Sequence, residues 1–195
     1  MNGEVILLRT PRHGDARGWF SETWSRARFA GAGIDCDFVQ DNQSWSEAQG
    51  VVRGLHFQRP PYAQAKLVRC LRGAILDVVV DLRAGAPSFG RAHAIELTAE
   101  SGDQLFVPPS FAHGFVTLRP GTEVAYKVSA PYAPEHEAGL AWDDPDLEIS
   151  WPVTADQAVL ADRDRAWPRL RDLDTPFRGD QASTLSVVDL GAVSR

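Results

Sequence analysis

The chain has few cysteines and no long apolar run. Its 195 residues include two cysteines, Cys36 and Cys70, too few for a disulfide framework. We therefore expect free thiols, as in a cytosolic protein. No stretch approaches the roughly 18 apolar residues that a membrane-spanning helix needs, and the first residues lack the basic and apolar regions of a signal peptide. These absences predict a cytoplasmic protein with no membrane partner.

Metal-binding and nucleic-acid-binding patterns are also missing. The histidines are His13, His56, His93, His113 and His136, and no two are spaced to ligate a metal from one strand. The sequence therefore predicts a site with no metal and no other cofactor. A net charge of −6 argues against general nucleic-acid binding. A small anionic ligand stays possible, because a local cluster of cations outweighs the global sign.

Lysine occurs only at Lys66 and Lys127, although the chain has 20 basic residues of the Lys and Arg types. Neutral exchange of lysine for arginine would explain this bias, yet both lysines lie in apolar, strand-like runs. In a strand, Lys127 points to the face opposite its neighbour Tyr126. Lys66 is therefore the better candidate for an amine in a functional site.

Short β-like runs separated by turn residues favour an all-β sandwich or barrel in one domain. The predicted strands are Val5–Leu8, Phe38–Gln40, Val51–Phe57, Lys66–Leu71, Ile75–Leu82, Ala92–Leu97, Gln104–Val107, Gly114–Leu118 and Val124–Ser129. A short helix is predicted over Ser21–Ala30 and a second helix or turn near Ala161–Arg165. We expect the domain to span residues 1–177. The tail over 178–195 either adds a strand at Ser183–Leu190 or stays disordered, and its apolar content favours partial order.

The segment Val51–Gln58 places polar groups within an apolar run. Burial of the Arg53 guanidinium and the His56 imidazole would be costly, which suggests a pocket for an anion beside a proton-transfer centre. His56 is a candidate base, because a carboxylate such as Asp164 could hold its second nitrogen and fix its tautomer. A core histidine with a satisfied hydrogen bond is the alternative interpretation.

Other polar residues have two interpretations each. Tyr126 is either a core aromatic or a general acid, a role that a phenol fills well against an enolate. Arg17, Arg53 and Arg163 are either surface charges or clamps for phosphate oxygens.

Taken together, these motifs resemble the dTDP-4-dehydrorhamnose 3,5-epimerase family over roughly residues 3 to 170. The first motifs are Asp15-x-Arg17-Gly18-x-Phe20-x-Glu22, Gln40-Asp41-Asn42-x-Ser44, Gly50-Val51-x-Arg53-Gly54-Leu55-His56-x-Gln58 and Gln64-x-Lys66-Leu67-Val68. The later ones are Asp77-Val78-x-Val80-Asp81-Leu82-Arg83, Phe111-Ala112-His113-Gly114-Phe115, Tyr126-Lys127, Asp143-Asp144-Pro145, Trp151-Pro152 and Asp164.

The resemblance implies a cupin-type jelly-roll β-sandwich with a few short helices, which binds no metal and forms homodimers that exchange strands. It implies epimerisation of a dTDP-4-keto-6-deoxyhexose at C3 and C5, through a C4 enolate, on the path to dTDP-L-rhamnose. By motif, His56 is the base, Asp164 its orienting partner, Tyr126 the acid on the opposite face of the sugar, and Lys66 the cation at the C4 oxygen. The implied nucleotide and sugar contacts are Arg17, Phe20, Glu22, Gln40, Asn42, Arg53, His113, Tyr132, Glu137 and Arg163.

The sequence departs from the family pattern at two positions. Arg163 stands where the family often has lysine, and Trp19 stands where a smaller aromatic residue is common. Related enzymes of antibiotic-sugar pathways invert only one carbon, and this is the second hypothesis. Hypotheses of other classes are a non-catalytic jelly roll that binds a sugar nucleotide or a protein partner, and a metal-dependent cupin oxygenase.

Overall fold

The structure is a computed structural model that describes residues 3–191. Thirteen strands and one α-helix make up its regular elements. In chain order they are β1 (Glu4–Arg9), β2 (His13–Asp15), β3 (Gly18–Phe20), α1 (Arg26–Gly31), β4 (Gln40–Ser46), β5 (Val52–Gln58), β6 (Lys66–Arg72), β7 (Ala74–Asp81), β8 (Ala92–Thr98), β9 (Gln104–Val107), β10 (Phe111–Thr117), β11 (Thr122–Val128), β12 (Glu137–Gly139) and β13 (Thr184–Asp189). Four short 3₁₀ turns lie at Pro134–His136, Pro145–Leu147, Asp162–Arg165 and Leu170–Asp172.

The strands form two large sheets and one separate hairpin. The six-stranded sheet has the order β13-β1-β9-β6-β11-β4, the five-stranded sheet has the order β12-β5-β10-β7-β8, and β2 pairs with β3. Neighbouring strands of these sheets are antiparallel except β1 and β13, which are parallel. The predicted all-β sandwich is therefore confirmed.

The main core lies between the two sheets. Val5, Val68 and Leu105 of the six-stranded sheet meet Val79 and Phe111 of the five-stranded sheet there, and all five are buried. The β-branched residues of β7 suit this position, because branched side chains pack well on a pleated surface. A second apolar cluster covers the outer face of the five-stranded sheet, so β5, β7 and β10 are held from both sides.

Strand β4 differs from its prediction. The sequence predicted a strand at Phe38–Gln40, whereas the strand runs over Gln40–Ser46. It is an edge strand whose residues are mostly polar and alternate between half-buried and exposed, and its order comes from backbone pairing along β11. An apolar pattern is therefore absent at this strand, and the prediction of its bounds was wrong.

Helix α1 is shorter than the predicted Ser21–Ala30. It begins after Ser25 and covers Arg26–Gly31. Residues before it stay outside the helix because their side chains have other partners: the Ser21 hydroxyl donates to the Pro11 carbonyl over 2.8 Å, and Trp24 packs edge-on against Phe29 and Phe38.

The C-terminal segment is integrated into the six-stranded sheet. Strand β13 pairs with β1 from Glu4 opposite Thr184 to Arg9 opposite Asp189. Behind the sheet, Leu190 is buried in a cluster with Phe29. The alternative of a strand in the tail is thus the one observed, while the division of the chain at residue 177 stays a prediction. The predicted strand Gln104–Val107 occurs with the same bounds, the other predicted strands occur with shifted ends, and a 3₁₀ turn lies at the predicted Ala161–Arg165.

Cys36 and Cys70 are free thiols, as predicted. Within residues 3–191, no helix combines the length and apolar character needed to cross a membrane.

Candidate active site

Polar side chains from both sheets converge at one end of the sandwich. Two adjoining cavities of about 340 and 380 Å³ share four lining residues, His56, Lys66, Tyr126 and Arg163. His56 comes from β5 of the five-stranded sheet, while Lys66 and Tyr126 come from β6 and β11 of the six-stranded sheet. A group bound between the sheets would therefore meet different chemistry on its two faces.

A close approach of two glycines sets the local path of β5 and β10. A Cβ atom on Gly114 would lie 2.6 Å from the Arg53 carbonyl oxygen and 3.0 Å from the Gly54 Cα atom. The register of the two strands shifts here, between His113 and Phe115. On one side of the shift, His113 lies directly opposite His56, so both imidazoles are placed on the same face of the sheet.

His56 and Asp164 form a hydrogen-bonded pair, with 2.6 Å between Nε2 and Oδ1. Asp164 lies on the 3₁₀ turn Asp162–Arg165 and is buried. Burial raises the pKa of Asp164, but hydrogen bonds from His56, Trp167 and the Gly54 backbone outweigh it, and this pKa lies below its usual value. An ionised carboxylate only accepts hydrogen bonds, so Nε2 carries the proton and Nδ1 is the basic nitrogen of His56.

A second pair lies deeper in the sandwich. His113 Nε2 is 2.9 and 3.0 Å from the two carboxylate oxygens of Asp77, and both residues are buried. Burial lowers the pKa of His113 more than the Asp77 charge raises it, and the charge of Lys66 lowers it further. His113 is therefore neutral at physiological pH and donates Nε2–H to Asp77.

The Lys66 amine is buried next to both pairs. Its Nζ donates to the His56 carbonyl oxygen over 3.3 Å. Burial lowers the pKa of Lys66 to about 8, although the charges of Asp77 and Glu137 partly oppose this shift. Lys66 is therefore a cation at neutral pH, and a negative charge that develops nearby would stabilise its protonated form.

Tyr126 faces the site from β11. Burial raises the pKa of Tyr126, although Arg53 and Arg163 partly oppose this shift, so the phenol keeps its proton at neutral pH and is able to donate it. Its neighbour Lys127 points to the other face of the strand, where Nζ lies 2.7 Å from Asp41 Oδ1. The predicted opposite directions of Tyr126 and Lys127 are confirmed.

The rim of the larger cavity carries a polar network. Tyr132 donates its hydroxyl to Glu137 Oε2 over 2.9 Å, and Arg163 Nη1 lies 3.3 Å from the same oxygen. The hydrogen bond to Glu137 raises the pKa of Tyr132. Gln40 donates to Asn42 Oδ1 over 2.7 Å. All five residues are among the predicted binding residues, and all five line this cavity.

Arg53 lines the smaller cavity, but it is exposed, and the prediction of a buried guanidinium was wrong. It donates to the Trp45 carbonyl oxygen over 3.2 Å and to Ser46 Oγ over 3.4 Å. The register shift beside Gly54 interrupts the alternation of β5, so an apolar run around Arg53 does not imply that its side chain is buried.

Comparisons with known proteins agree with this geometry. The model of the dTDP-4-dehydrorhamnose 3,5-epimerase family matches residues 3–172. A protein of that name from Sinorhizobium fredii is 49% identical, over 90% of this chain and 89% of its own length. The chain belongs to this epimerase family. The predictions of the family and of an isomerase are confirmed.

Two solved structures show what related chains bind. A 3,5-epimerase from Legionella pneumophila, in complex with dTDP-4-keto-L-rhamnose, is 40% identical with a TM-score of 0.81, over 85% of this chain and 87% of its own. A 3′-monoepimerase from Streptomyces bikiniensis, in complex with dTDP-quinovose, is 35% identical with a TM-score of 0.80, over 86% of this chain and 84% of its own. These matches confirm the predicted jelly-roll fold, and they show that it serves both kinds of epimerase.

Three residues predicted from the epimerase motifs do not line the two cavities of the same chain. Arg17 and Phe20 lie in the β2–β3 hairpin, where Arg17 pairs with Asp15 and Phe20 is 70% exposed. Glu22 lines a third cavity, on the outer face of the six-stranded sheet beside Trp24 and Lys127. A single protomer thus brings together His56, Asp164, Lys66, Tyr126 and His113, but not these three residues.

Sequence reasoning gave no role to two residues that contact this epimerase site. Asp77 is a buried carboxylate in the middle of a β-branched strand, and its cost of burial was a usable signal. Trp167, three residues after Asp164, carried no such signal, because an isolated tryptophan is usually a packing residue.

Proposed function

We propose that this protein epimerises a dTDP-4-keto-6-deoxyhexose at C3 and C5. The observation that carries the proposal is a site lined by His56 of one sheet, hydrogen-bonded to Asp164, and by Tyr126 and Lys66 of the other sheet. A base and an acid on two faces of one cavity are what inversion of a carbon requires. The names and ligands of the relatives support the same substrate class.

In the proposed mechanism, His56 Nδ1 removes the proton from C3 or C5. The electron pair of the C–H bond moves into the ring, and the C4 carbonyl becomes an enolate. Lys66 stabilises the charge on the C4 oxygen, a type of interaction that typically supplies ~3–4 kcal/mol. Asp164 stabilises the imidazolium.

Tyr126 then donates its hydroxyl proton to the opposite face of the same carbon, and the ketone forms again. Proton exchange with solvent returns His56 to its neutral form and Tyr126 to its phenol. The second carbon is inverted in the same way. No redox step occurs in this sequence, since the electron pair only moves between carbon and the C4 oxygen.

The test is incubation with dTDP-4-keto-6-deoxyglucose in D₂O, with label at C3 and C5 counted by NMR. Label at both carbons, with formation of the L-rhamno product, is the expected result. Label and inversion at one carbon would establish the single-carbon epimerase instead, and bound substrate without any label would establish a binding module.

The matched control uses a second histidine. His56→Ala should lose more than about 90% of the exchange, because a positioned base contributes about 10²–10⁴-fold. His136 lines neither cavity and packs against Tyr62 at a tilt of 51° with ring centroids 4.7 Å apart, so His136→Ala should keep wild-type exchange. Equal loss in both variants would count against the role of His56.

We further propose a homodimer in which the β2–β3 hairpin of each chain reaches the nucleotide of its partner. Two large aromatic side chains of the hairpin are exposed in the single chain, Trp19 at 61% and Phe20 at 70%, and Trp45 of the edge strand β4 is 56% exposed. Exposed apolar groups of this size on one hairpin are a feature of interfaces. A dimer of this kind also explains why Arg17, Phe20 and Glu22 are remote from His56 in one protomer.

Complementation tests the shared site. Arg17→Ala and His56→Ala should each be nearly inactive, and co-expression should restore about a quarter of wild-type activity. Half of the dimers then contain one copy of each variant, and one of their two sites combines an intact His56 with an intact Arg17 of the other chain. No recovery despite mixed dimers would place Arg17 in the site of its own chain. A fully active monomer in light scattering would exclude the dimer.

We propose that the reaction takes place in the cytoplasm. The two free thiols, Cys36 and Cys70, support a reducing compartment. Fractionation of the native host, followed by detection of the protein, would test the location.

A further inference from the structure

Trp167 contacts both members of the His56–Asp164 pair. Its indole Nε1 lies 3.4 Å from Asp164 Oδ1, the same oxygen that accepts from His56. Its ring meets the His56 ring nearly edge-on, with centroids 6.0 Å apart and planes at 72°. Trp167 lines neither of the two cavities, so it reaches the site only through these two residues.

The fold holds this indole in place. A Cβ atom on Gly139 of β12 would lie 2.6 Å from Cδ2 and 2.7 Å from Cε2 of Trp167, so the ring occupies the space that the glycine leaves free. The next residue, Pro168, accepts a hydrogen bond from the Ala141 backbone over 2.8 Å. Asp144 accepts from the Leu170 backbone over 2.6 Å. The segment that follows Trp167 is therefore tied to the protein directly after the dyad contact.

We propose that Trp167 is a positioning residue of the dyad, whose N–H fixes the Asp164 carboxylate and sets the proton affinity of His56. This inference rests on the proposed role of His56 as the base. Two donors on one carboxylate oxygen restrict its rotation and draw negative charge from it. Without the indole donor, Oδ1 would be freer to move and would attract the imidazolium proton more strongly.

Other groups near His56 act on its protonation as well. The charged or titratable ones that line the same cavities, or pair with a residue that does, are Arg53 on β5, Lys66 on β6, His113 with Asp77, Tyr126 on β11, Tyr132, Glu137 on β12 and Arg163 beside Asp164. Trp167→Phe leaves all of these residues in place. The substitution removes one N–H and keeps an aromatic ring over Gly139. A change in activity would therefore come from loss of the hydrogen bond between the indole and Asp164.

The test is the pH dependence of kcat and KM in Trp167→Phe. We expect kcat to fall about threefold to tenfold with KM unchanged, because the lost hydrogen bond is long and does not touch the substrate. We also expect the acidic limb of kcat/KM to move to higher pH, since an Asp164 carboxylate without the indole donor holds the proton of the dyad more strongly. Trp151→Phe is the control: it removes an indole N–H that donates to the Trp142 carbonyl over 2.7 Å, away from the dyad.

The wild-type protein gives a second readout that needs no folded variant. The indole N–H resonance of Trp167, assigned through its nuclear Overhauser effect to the His56 ring, should shift with the same midpoint as the acidic limb. An indole signal that ignores this titration, or an unmoved acidic limb in Trp167→Phe, would overturn the proposal. So would an equal shift in Trp151→Phe. Failure of the proposed function would be seen separately, as wild-type protein that exchanges no deuterium.

Discussion

At the scale of the residue, burial decides which groups carry a proton at neutral pH. Asp164 is ionised because three donors compensate its burial, whereas His113 is neutral and Tyr126 stays a phenol because burial dominates there. Burial also lowers the pKa of Lys66, to about 8, but the amine still carries its proton at neutral pH. The environment of each group, and not only its residue type, thus decides whether the proposed base, acid and cation carry a proton at neutral pH.

Tyr126→Phe should separate proton removal from inversion. His56 still takes the proton from one face, so deuterium should still enter the substrate from D₂O. The opposite face loses its donor, so formation of inverted product should fall at least about 10²-fold, most of all at C5. Loss of one hydroxyl barely changes the side-chain volume, and circular dichroism would check the fold. Equal losses of exchange and inversion would make Tyr126 a positioning group, and no change in either would make it a core aromatic.

Lys66 should produce an alkaline limb in the pH profile. Its pKa of about 8 lies below the ordinary value because of burial, so the ammonium is present below about pH 8 and is lost as the pH rises through that value. If the ammonium stabilises the enolate, kcat/KM of the wild-type enzyme should fall above about pH 8. Lys66→Met should be slow at all pH values and lack this limb. A limb that persists in Lys66→Met would assign it to another group.

At the scale of the element, the meeting of β5 and β10 positions the two histidines. Gly114→Ala should destabilise the fold by about 2 kcal/mol or more, because its Cβ would lie 2.6 Å from the Arg53 carbonyl oxygen, which belongs to rigid backbone. Gly14→Ala is the control, since its nearest neighbour beyond the adjacent residues is Gly18 O at 3.7 Å. Urea unfolding of both variants measures the difference. Similar midpoints for the two would show that the strands separate easily at this point.

The same elements show how far the sequence predicts the structure. Apolar strands such as β7 were found because burial leaves a pattern, and Lys66, His56 and Tyr126 stand out as polar groups within such strands. Strand β4 was misplaced because an edge strand held by backbone pairing needs no apolar pattern. The exposure of Arg53 depends on a register shift, and the contact of Trp167 with Asp164 depends on a turn, so neither follows from spacing alone.

At the scale of the whole molecule, the C-terminal segment is part of the sandwich. Leu190 is fully buried against the cluster that contains Phe29, whereas Val187, in β13 itself, is 52% exposed. Leu190→Ala should therefore lower the free energy of unfolding by about 2–4 kcal/mol, and Val187→Ala should change it by less than about 1 kcal/mol. Denaturant titration of the two variants provides the comparison. A Leu190→Ala protein as stable as wild type would mean that the segment is only loosely attached.

The parallel pairing of β1 with β13 has a consequence for how the chain reaches its native state. The first strand of the sheet completes its hydrogen bonds with the last one, after nearly the whole sequence has been made. Its other neighbour, β9, also lies far along the chain. Contacts so distant in sequence give a high contact order and slow folding. During synthesis, β1 is an apolar strand with two open edges until β9 and β13 have been made, and open apolar edges of this kind favour aggregation.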